Sequence, residues 1–312
     1  MAYYLDWETD SAGWPNREWS RFVDAADLRW HVQVMGEGPP LLLLHGTGAS
    51  THSWRDVMPR LAGHYTVIAP DLPGHAFTIR PPSGSLSLPG MGSAVAALLR
   101  KLDVKPVRAA GHFAGLVAAG LFPPPLPQVR PEAADRLFAP ADLVSFNGAF
   151  FPFGGMLGQF FSPLARTLAN ATLVQKLFAR MADRAAVERL LRDTGSTIDA
   201  EGIGLYQRLF SNEGHVAGAL GMMAAWDLHR MPQDLGGLPQ PLTFVAAGND
   251  RTVPPATAAE AARLTHQPHL VSLPGLGHLA CMEKPAVFNE DPAAAAAIIL
   301  APRNATPLPK QP

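Results

Sequence analysis

The chain has 312 residues, 47% of them hydrophobic and 16% charged, with a formal net charge of −1. That length suits one large domain or two modest ones, and the apolar content is ample for a buried core. The near-neutral balance offers no basic field for a nucleic-acid groove, and the single cysteine, Cys281, excludes an intramolecular disulfide.

The opening MAYYLDWETDSAGWPNREWS is acidic and aromatic, without the basic start and apolar stretch of a signal peptide. No apolar run reaches the length of a transmembrane helix; Leu41 to Leu44 and Ala293 to Ala301 are far too short. A cytoplasmic protein is expected, with contact to a membrane through its apolar surface left open. Asn170-Ala171-Thr172 and Asn304-Ala305-Thr306 match glycosylation sequons, read as chance without a secretory signal.

Ser20 to Met35 alternates apolar and polar residues and predicts a hairpin turning near Ala25 to Asp27. After the turn Gly36-Glu37-Gly38-Pro39-Pro40, LLLLHG reads as a strand buried on both faces. Tyr65 to Ala69 is a second such run, followed by the turn DLPGHA. Ser93 to Leu102 has helical spacing, and Pro106 to Ala110 is a short strand. Asp142 to Phe146, Leu242 to Ala246 and His269 to Leu273 are further buried-strand candidates. Helical windows fall at Ser162 to Met181, Ala185 to Asp193 and Gly214 to Leu228, and another at Thr252 to Leu264.

Strands alternating with helices predict an α/β fold, a mostly parallel, doubly wound sheet. The strand-free middle predicts a helical cap inserted into it. The expected organisation is a core first part at 1–147, a cap at 148–238, a core second part at 239–301 and a disordered, proline-rich tail at 302–312. Two stretches break the pattern. LFPPPLPQ, from Leu121 to Gln128, cannot form a helix interior, because each proline removes a donor and clashes with the preceding turn. VFNEDPAAAAA interrupts the expected closing helix.

Ligands of such sheets bind beyond the carboxyl ends of the strands, so those ends carry the chemistry. The first buried strand leads into His45-Gly46-Thr47-Gly48, whose small residues let backbone N–H groups face a cavity, as an oxyanion hole requires. The short strand leads into Gly111-His112-Phe113-Ala114-Gly115, the G-x-S-x-G elbow with phenylalanine where a serine would stand. Later strands offer Asp250, in AAGNDRTVPP, and His278, in PGLGHLA. An acid there would hold the imidazole in one tautomer, and the histidine would take a proton from a nucleophile or from water.

Each of these residues has an ordinary structural reading too. Asp250 is also placed to cap the helix expected from Thr252. Cys281 fits a buried inert thiol better than a replacement nucleophile. His45 and His75 are expected to be structural, and Ser145 sits inside a strand rather than at an exposed elbow. Met222, Met223 and Trp226 are either plain packing or the lining of a pocket for a large flat ligand. A phenyl ring at position 113 has no ionisable proton and no lone pair, so no acyl-enzyme can form and negligible esterase activity is expected.

Elbow, acid and histidine stand in the chain order of the α/β-hydrolase superfamily, which the sequence resembles. More closely, it resembles the magnesium chelatase accessory proteins of bacteriochlorophyll biosynthesis in purple phototrophs, from about Trp14 to Glu283. HGTGASTHSWRD with DLPGHAFT carries this, together with LVSFNGAFFPFGG, the WDL at Trp226, GNDRTVPP and PGLGHLA. Such proteins look like serine hydrolases with G-H-S-A-G at the elbow. The resemblance places Phe113 in the nucleophile's position, Asp250 and His278 in those of acid and base, and Gly46, Thr47 and Ala114 around the oxyanion hole.

From Phe113 to about Ala139 the resemblance lapses and then resumes at the expected spacing. An altered interior rich in Pro, Ala and Arg is what two compensating frameshifts leave in a GC-rich gene. The resemblance implies a role in inserting Mg²⁺ into protoporphyrin IX. The chain has no G-x-x-x-x-G-K-[ST] loop and no cluster of metal ligands, so no cofactor is assigned. Magnesium chelatase subunits are the implied partners, with a porphyrin as the implied ligand. The alternatives are a serine ester hydrolase whose serine is masked by a sequence error, and a non-catalytic tetrapyrrole-binding module.

Overall fold

Among the described residues eight strands form one sheet in the order β1-β2-β4-β3-β5-β6-β7-β8. The computed structural model describes residues 4–79, 86–113, 115, 140–152, 171–283 and 293–301. β1 (Ser20–Ala25) and β2 (Leu28–Met35) make the expected antiparallel hairpin. Its turn residues, Ala26 and Asp27, have φ of 51° and 58°. Positive φ at both central positions matches the twist of the flanking strands. β2 also pairs antiparallel with β4 (Thr66–Pro70). The ladders joining β4, β3 (Pro40–Leu44), β5 (Arg108–His112), β6 (Asp142–Phe146), β7 (Leu242–Ala247) and β8 (Pro268–Leu273) are parallel.

The apolar runs are continuous because both faces of the central strands are covered. Leu42 and Leu44 pack on one side with Ile68, Ala109, Leu143 and Phe244. Leu41 and Leu43 pack on the other with Val67, Ala110, Val144 and Val245. Two predicted strands shift. β5 starts two residues after Pro106, which has no N–H to give a ladder. β8 was expected to be buried, but among the described residues it pairs with β7 alone, and most of its residues are exposed or half-buried.

Two single-turn helices, α1 (Trp7–Asp10) and α2 (Met58–Leu61), precede α3 (Leu88–Leu102). α3 begins five residues before the predicted window, because Ser87 caps it by accepting from Gly90 N–H and Pro89 is tolerated in a first turn. Between β6 and β7 lie α4 (Thr172–Met181), α5 (Arg184–Asp193), α6 (Ala200–Phe210), α7 (Glu213–Ala225) and α8 (Met231–Gly236), with no strand among the described residues. α6 was not anticipated: two glycines in AEGIGLYQRLF obscure its period, and Asp199, which accepts from Gly202 N–H, starts it. α7 stops short of Leu228 because Trp226 is already extended. α9 (Ala256–Ala262) follows β7, and α10 (Ala293–Leu300) packs under the sheet. The proline-rich stretch 121–128, the rest of 116–139 and the tail 302–312 lie outside the described residues, as do Ala114 and the first residues of VFNEDPAAAAA.

Candidate active site

β5 ends at His112 and the chain turns at once. Phe113 has φ of 50°, a left-handed conformation that costs an L-residue about 1–2 kcal/mol. The turn is held because Phe113 N–H donates to Phe146 O at 2.9 Å. The neighbouring glycines are demanded by space. A Cβ on Gly115 would lie 2.4 Å from both Leu44 O and His45 O, and one on Gly46 would lie 2.9 Å from His112 Nδ1 and 3.1 Å from Phe113 Cβ. The end of β3 and the elbow are therefore pressed together, and the strained turn lifts residue 113 away from the sheet. Its ring meets the His278 ring edge-on at 5.0 Å and lies 5.5 Å from the Trp226 ring, tilted by 36°.

Asp250 and His278, 28 residues apart, are brought into contact by the parallel pairing of β7 and β8. Asp250 Oδ2 accepts from His278 Nδ1 at 2.9 Å, and both side chains are buried. Asp250 Oδ1 accepts from the N–H groups of Thr252 and Val253 at 2.7 and 2.9 Å. The expected helix cap is corrected here: α9 begins at Ala256, after Pro254 and Pro255, so Asp250 closes a side-chain turn instead. With Nδ1–H committed to the carboxylate, neutral His278 keeps its lone pair on Nε2.

Four residues that the sequence reading did not single out fix the histidine loop. Asn147 Nδ2 donates to His278 O at 2.7 Å and to Gly277 O at 3.2 Å, while its Oδ1 accepts from Ala247 N–H at 2.9 Å. His112 Nε2 donates to His278 O at 2.8 Å. Burial, with the His278 imidazole beside it, lowers the His112 pKa to about 3. Glu283 accepts from Gly277 N–H at 2.7 Å and from Thr197 N–H at 3.0 Å, and Ser196 Oγ accepts from Leu279 N–H at 2.9 Å. Burial raises the pKa of the Glu283 carboxyl against the pull of those donors. The segment joining α5 to α6 is thus tied to the histidine loop. Asn147 follows a strand end and was open to the same reading as Asp250. Glu283 carried no local signal.

The Gly46–Gly48 loop is held by histidines. His45 Nε2 accepts from Leu72 N–H at 2.8 Å and its Nδ1 donates to Gly46 O at 2.8 Å. His215 of α7 accepts from Ala76 N–H at 3.0 Å and donates to Gly48 O at 3.1 Å. His75 lies between them, with ring centroids 5.2 Å from His45 and 5.4 Å from His215. Burial lowers the His45 pKa to about 3, that of His75 to about 4, and that of His215 well below its ordinary value. His45 is bonded to backbone at both ring nitrogens, and His75 Nδ1 donates to Pro73 O at 3.2 Å, as expected of structural histidines. α7 approaches so closely that a Cβ on Gly218 would fall 1.7 Å from Gly74 O.

Among the other predicted residues, Thr47 Oγ1 donates to Met222 Sδ at 3.5 Å, and Met222 is fully buried. Trp226 is buried against Phe113. Met223 is half-buried and gives its carbonyl to Trp226 N–H. Phe113, Asp250, His278, Gly46, Thr47, Met222 and Trp226 therefore gather at the carboxyl ends of β3, β5, β7 and β8, while Ala114 is outside the described residues. Cys281 is buried, and burial pushes its thiol pKa up. Ser145 sits inside β6, opposite Gly111. Among the described residues no group of three or more His, Cys, Asp or Glu could hold a metal ion.

A glycine-flanked elbow at positive φ and an Asp–His pair beyond the later strands meet at one point, where the Phe113 ring touches the His278 ring. The family comparison decides the lineage: the sequence model of the alpha/beta hydrolase family matches residues 41–291. The chain belongs to the alpha/beta hydrolase family. This alpha/beta hydrolase is 36% identical to the magnesium-chelatase 30 kDa subunit of Rhodobacter capsulatus, over 86% of this chain and 91% of that protein. It is 28% identical to a pimeloyl-[acyl-carrier protein] methyl ester esterase of Xanthomonas campestris pv. campestris, over 80% and 91%. Among solved structures, an alpha/beta hydrolase fold protein from Burkholderia ambifaria superimposes with a TM-score of 0.69 at 21% identity, covering 96% of this chain and 99% of that one. A haloalkane dehalogenase variant from Bradyrhizobium elkanii gives 0.64 at 21%, covering 90% and 95%. At that identity the two structures speak for the fold.

Proposed function

We propose that the chain is an accessory protein at the magnesium-insertion step of bacteriochlorophyll synthesis, working beside magnesium chelatase subunits in the cytoplasm. The helices between β6 and β7 serve as a cap, residues 148–238, over the hydrolase core. The similarity to the magnesium-chelatase 30 kDa subunit, over 86% of the chain, carries the reading. Phe113 separates it from ester hydrolysis: Asp250 and His278 form a proton-accepting pair, but the ring beside them offers no atom that can bond to an acyl carbon. The test is magnesium insertion into protoporphyrin IX by chelatase subunits with and without the purified chain. The expected result is faster or more complete insertion; no effect at stoichiometric amounts would retire the proposal.

One observation favours a second reading, a serine ester hydrolase whose serine is masked by a sequence error. The elbow keeps φ of 50° at a phenylalanine, and the Asp250–His278 bond is intact at 2.9 Å. Resequencing codons 110 to 145 decides it: a serine codon at 113 supports the hydrolase, and a phenylalanine codon followed by the proline run removes it. Fluorescence titration with protoporphyrin IX tests whether Trp226 and Met222 wall a tetrapyrrole site.

A further inference from the structure

α4 turns its large apolar side chains outward. Leu173 is 78% exposed, Leu177 57% and Met181 65%. Its inward face is Gln175 and Ala179. A helix packed on a core normally does the reverse. Leu173, Leu177 and Met181 fall within about 80° around the helix axis, and Lys176 and Arg180 lie along one side of them. α4 contains no acidic residue. Leu190 and Arg189 of α5 are exposed next in the chain. The acids of α5 and its cap are partly engaged: Glu188 pairs with Arg192 at 2.7 Å, and Asp183 accepts from Ala186 N–H, while Asp193 lies at the far end of α5. Among the described residues Lys176, Arg180 and Arg189 make no ion pair.

From this face we infer that α4 docks the protein on an anionic lipid bilayer. The apolar stripe enters the headgroup–acyl boundary and the cations stay at phosphate level, the arrangement of an interfacial helix. Ten residues make a helix of about 15 Å, half the thickness of a hydrocarbon core, so α4 lies in the surface plane. A second copy of this chain is the poorer occupant. A two-fold contact that packs the two α4 stripes antiparallel would bring Lys176 and Arg180 of both copies to the same side of the seam, like charge beside like. The inference does not depend on the accessory role proposed above.

Cosedimentation of the full chain with vesicles of phosphatidylcholine, and of phosphatidylcholine with an equal part of phosphatidylglycerol, tests it. Binding to the anionic vesicles is expected to be roughly tenfold tighter or more, and to weaken in 0.5 M NaCl. Lys176→Gln with Arg180→Gln should lose about 30-fold, from roughly fivefold per cation near such a surface. Leu173→Ser with Leu177→Ser and Met181→Ser should abolish binding to both vesicles. The charge variant leaves the apolar residues in place, so it reads the proposal even if the triple variant loses its circular dichroism. Equal binding to neutral and anionic vesicles overturns the inference. So does no binding to either, including the case where the chain forms a dimer in solution that the triple variant dissolves.

Discussion

Acidification from pH 8 to pH 5 perturbs five histidines at once. His45, His52, His75, His112 and His215 are fully or nearly fully buried. Burial lowers the first, second and fourth to about 3 and the third to about 4, and holds the fifth well below its ordinary value. These depressed values mean that the unfolded chain takes up protons below about 6.5 while the native chain does not. The stability these groups contribute is therefore complete above pH 6.5 and is lost as pH falls toward 4. At pH 5 each of the four groups lowered to about 3 or 4 withdraws on the order of 2 kcal/mol, about 8 kcal/mol together, and His215 acts in the same direction. That is the size of a whole domain's stability. Glu283, whose pKa burial raises, acts in the opposite direction, but it is one group against five. Urea denaturation followed by circular dichroism at pH 8, 7, 6 and 5 measures the effect. The midpoint should hold between pH 8 and 7, fall steeply below 6, and approach zero urea near pH 5. A midpoint at pH 5 equal to that at pH 8 would refute the assignment of these rings as buried and neutral.

Gly115→Ala should destabilise the fold by about 2–4 kcal/mol, because its Cβ would fall 2.4 Å from two carbonyl oxygens of β3 and its end; thermal denaturation measures it. Asn147→Ala removes two donors from the histidine loop and the acceptor for Ala247 N–H, and should cost about 2–3 kcal/mol by urea denaturation, with no change in secondary structure. Glu283→Ala strands the N–H groups of Gly277 and Thr197. Limited proteolysis should then cut between α5 and α6 sooner than in the parent chain, and equal cleavage rates would count against that tie.

The sheet was legible because its chemistry is local and repetitive. Four leucines in a row between a glycine–proline turn and His45 can satisfy their backbone only in a strand covered on both faces, and β3 is that strand. Elbow, acid and histidine were legible because parallel strands deliver their carboxyl ends to one edge, so motif order predicts proximity. The exposed β8 was misread because an edge strand and a buried one share the same short apolar run, and the difference lies in the partner across the gap. The ties of His215 to Gly48, over 167 residues, and of Glu283 to Thr197, over 86, are set by tertiary closure and leave no periodic trace. Outward-facing α4 was hidden for a related reason: its spacing predicts a helix but not which side meets the core.

Fluorophosphonate labelling, read by intact-protein mass, addresses the inert elbow most directly. The reagent reports a side-chain oxygen activated by the His278–Asp250 pair. The chain as it stands should gain no phosphonyl mass. Phe113→Ser should gain one adduct, and His278→Ala added to that variant should abolish it. An adduct on the unmodified chain that disappears with His278→Ala would place an active nucleophile beside the ring and contradict the account.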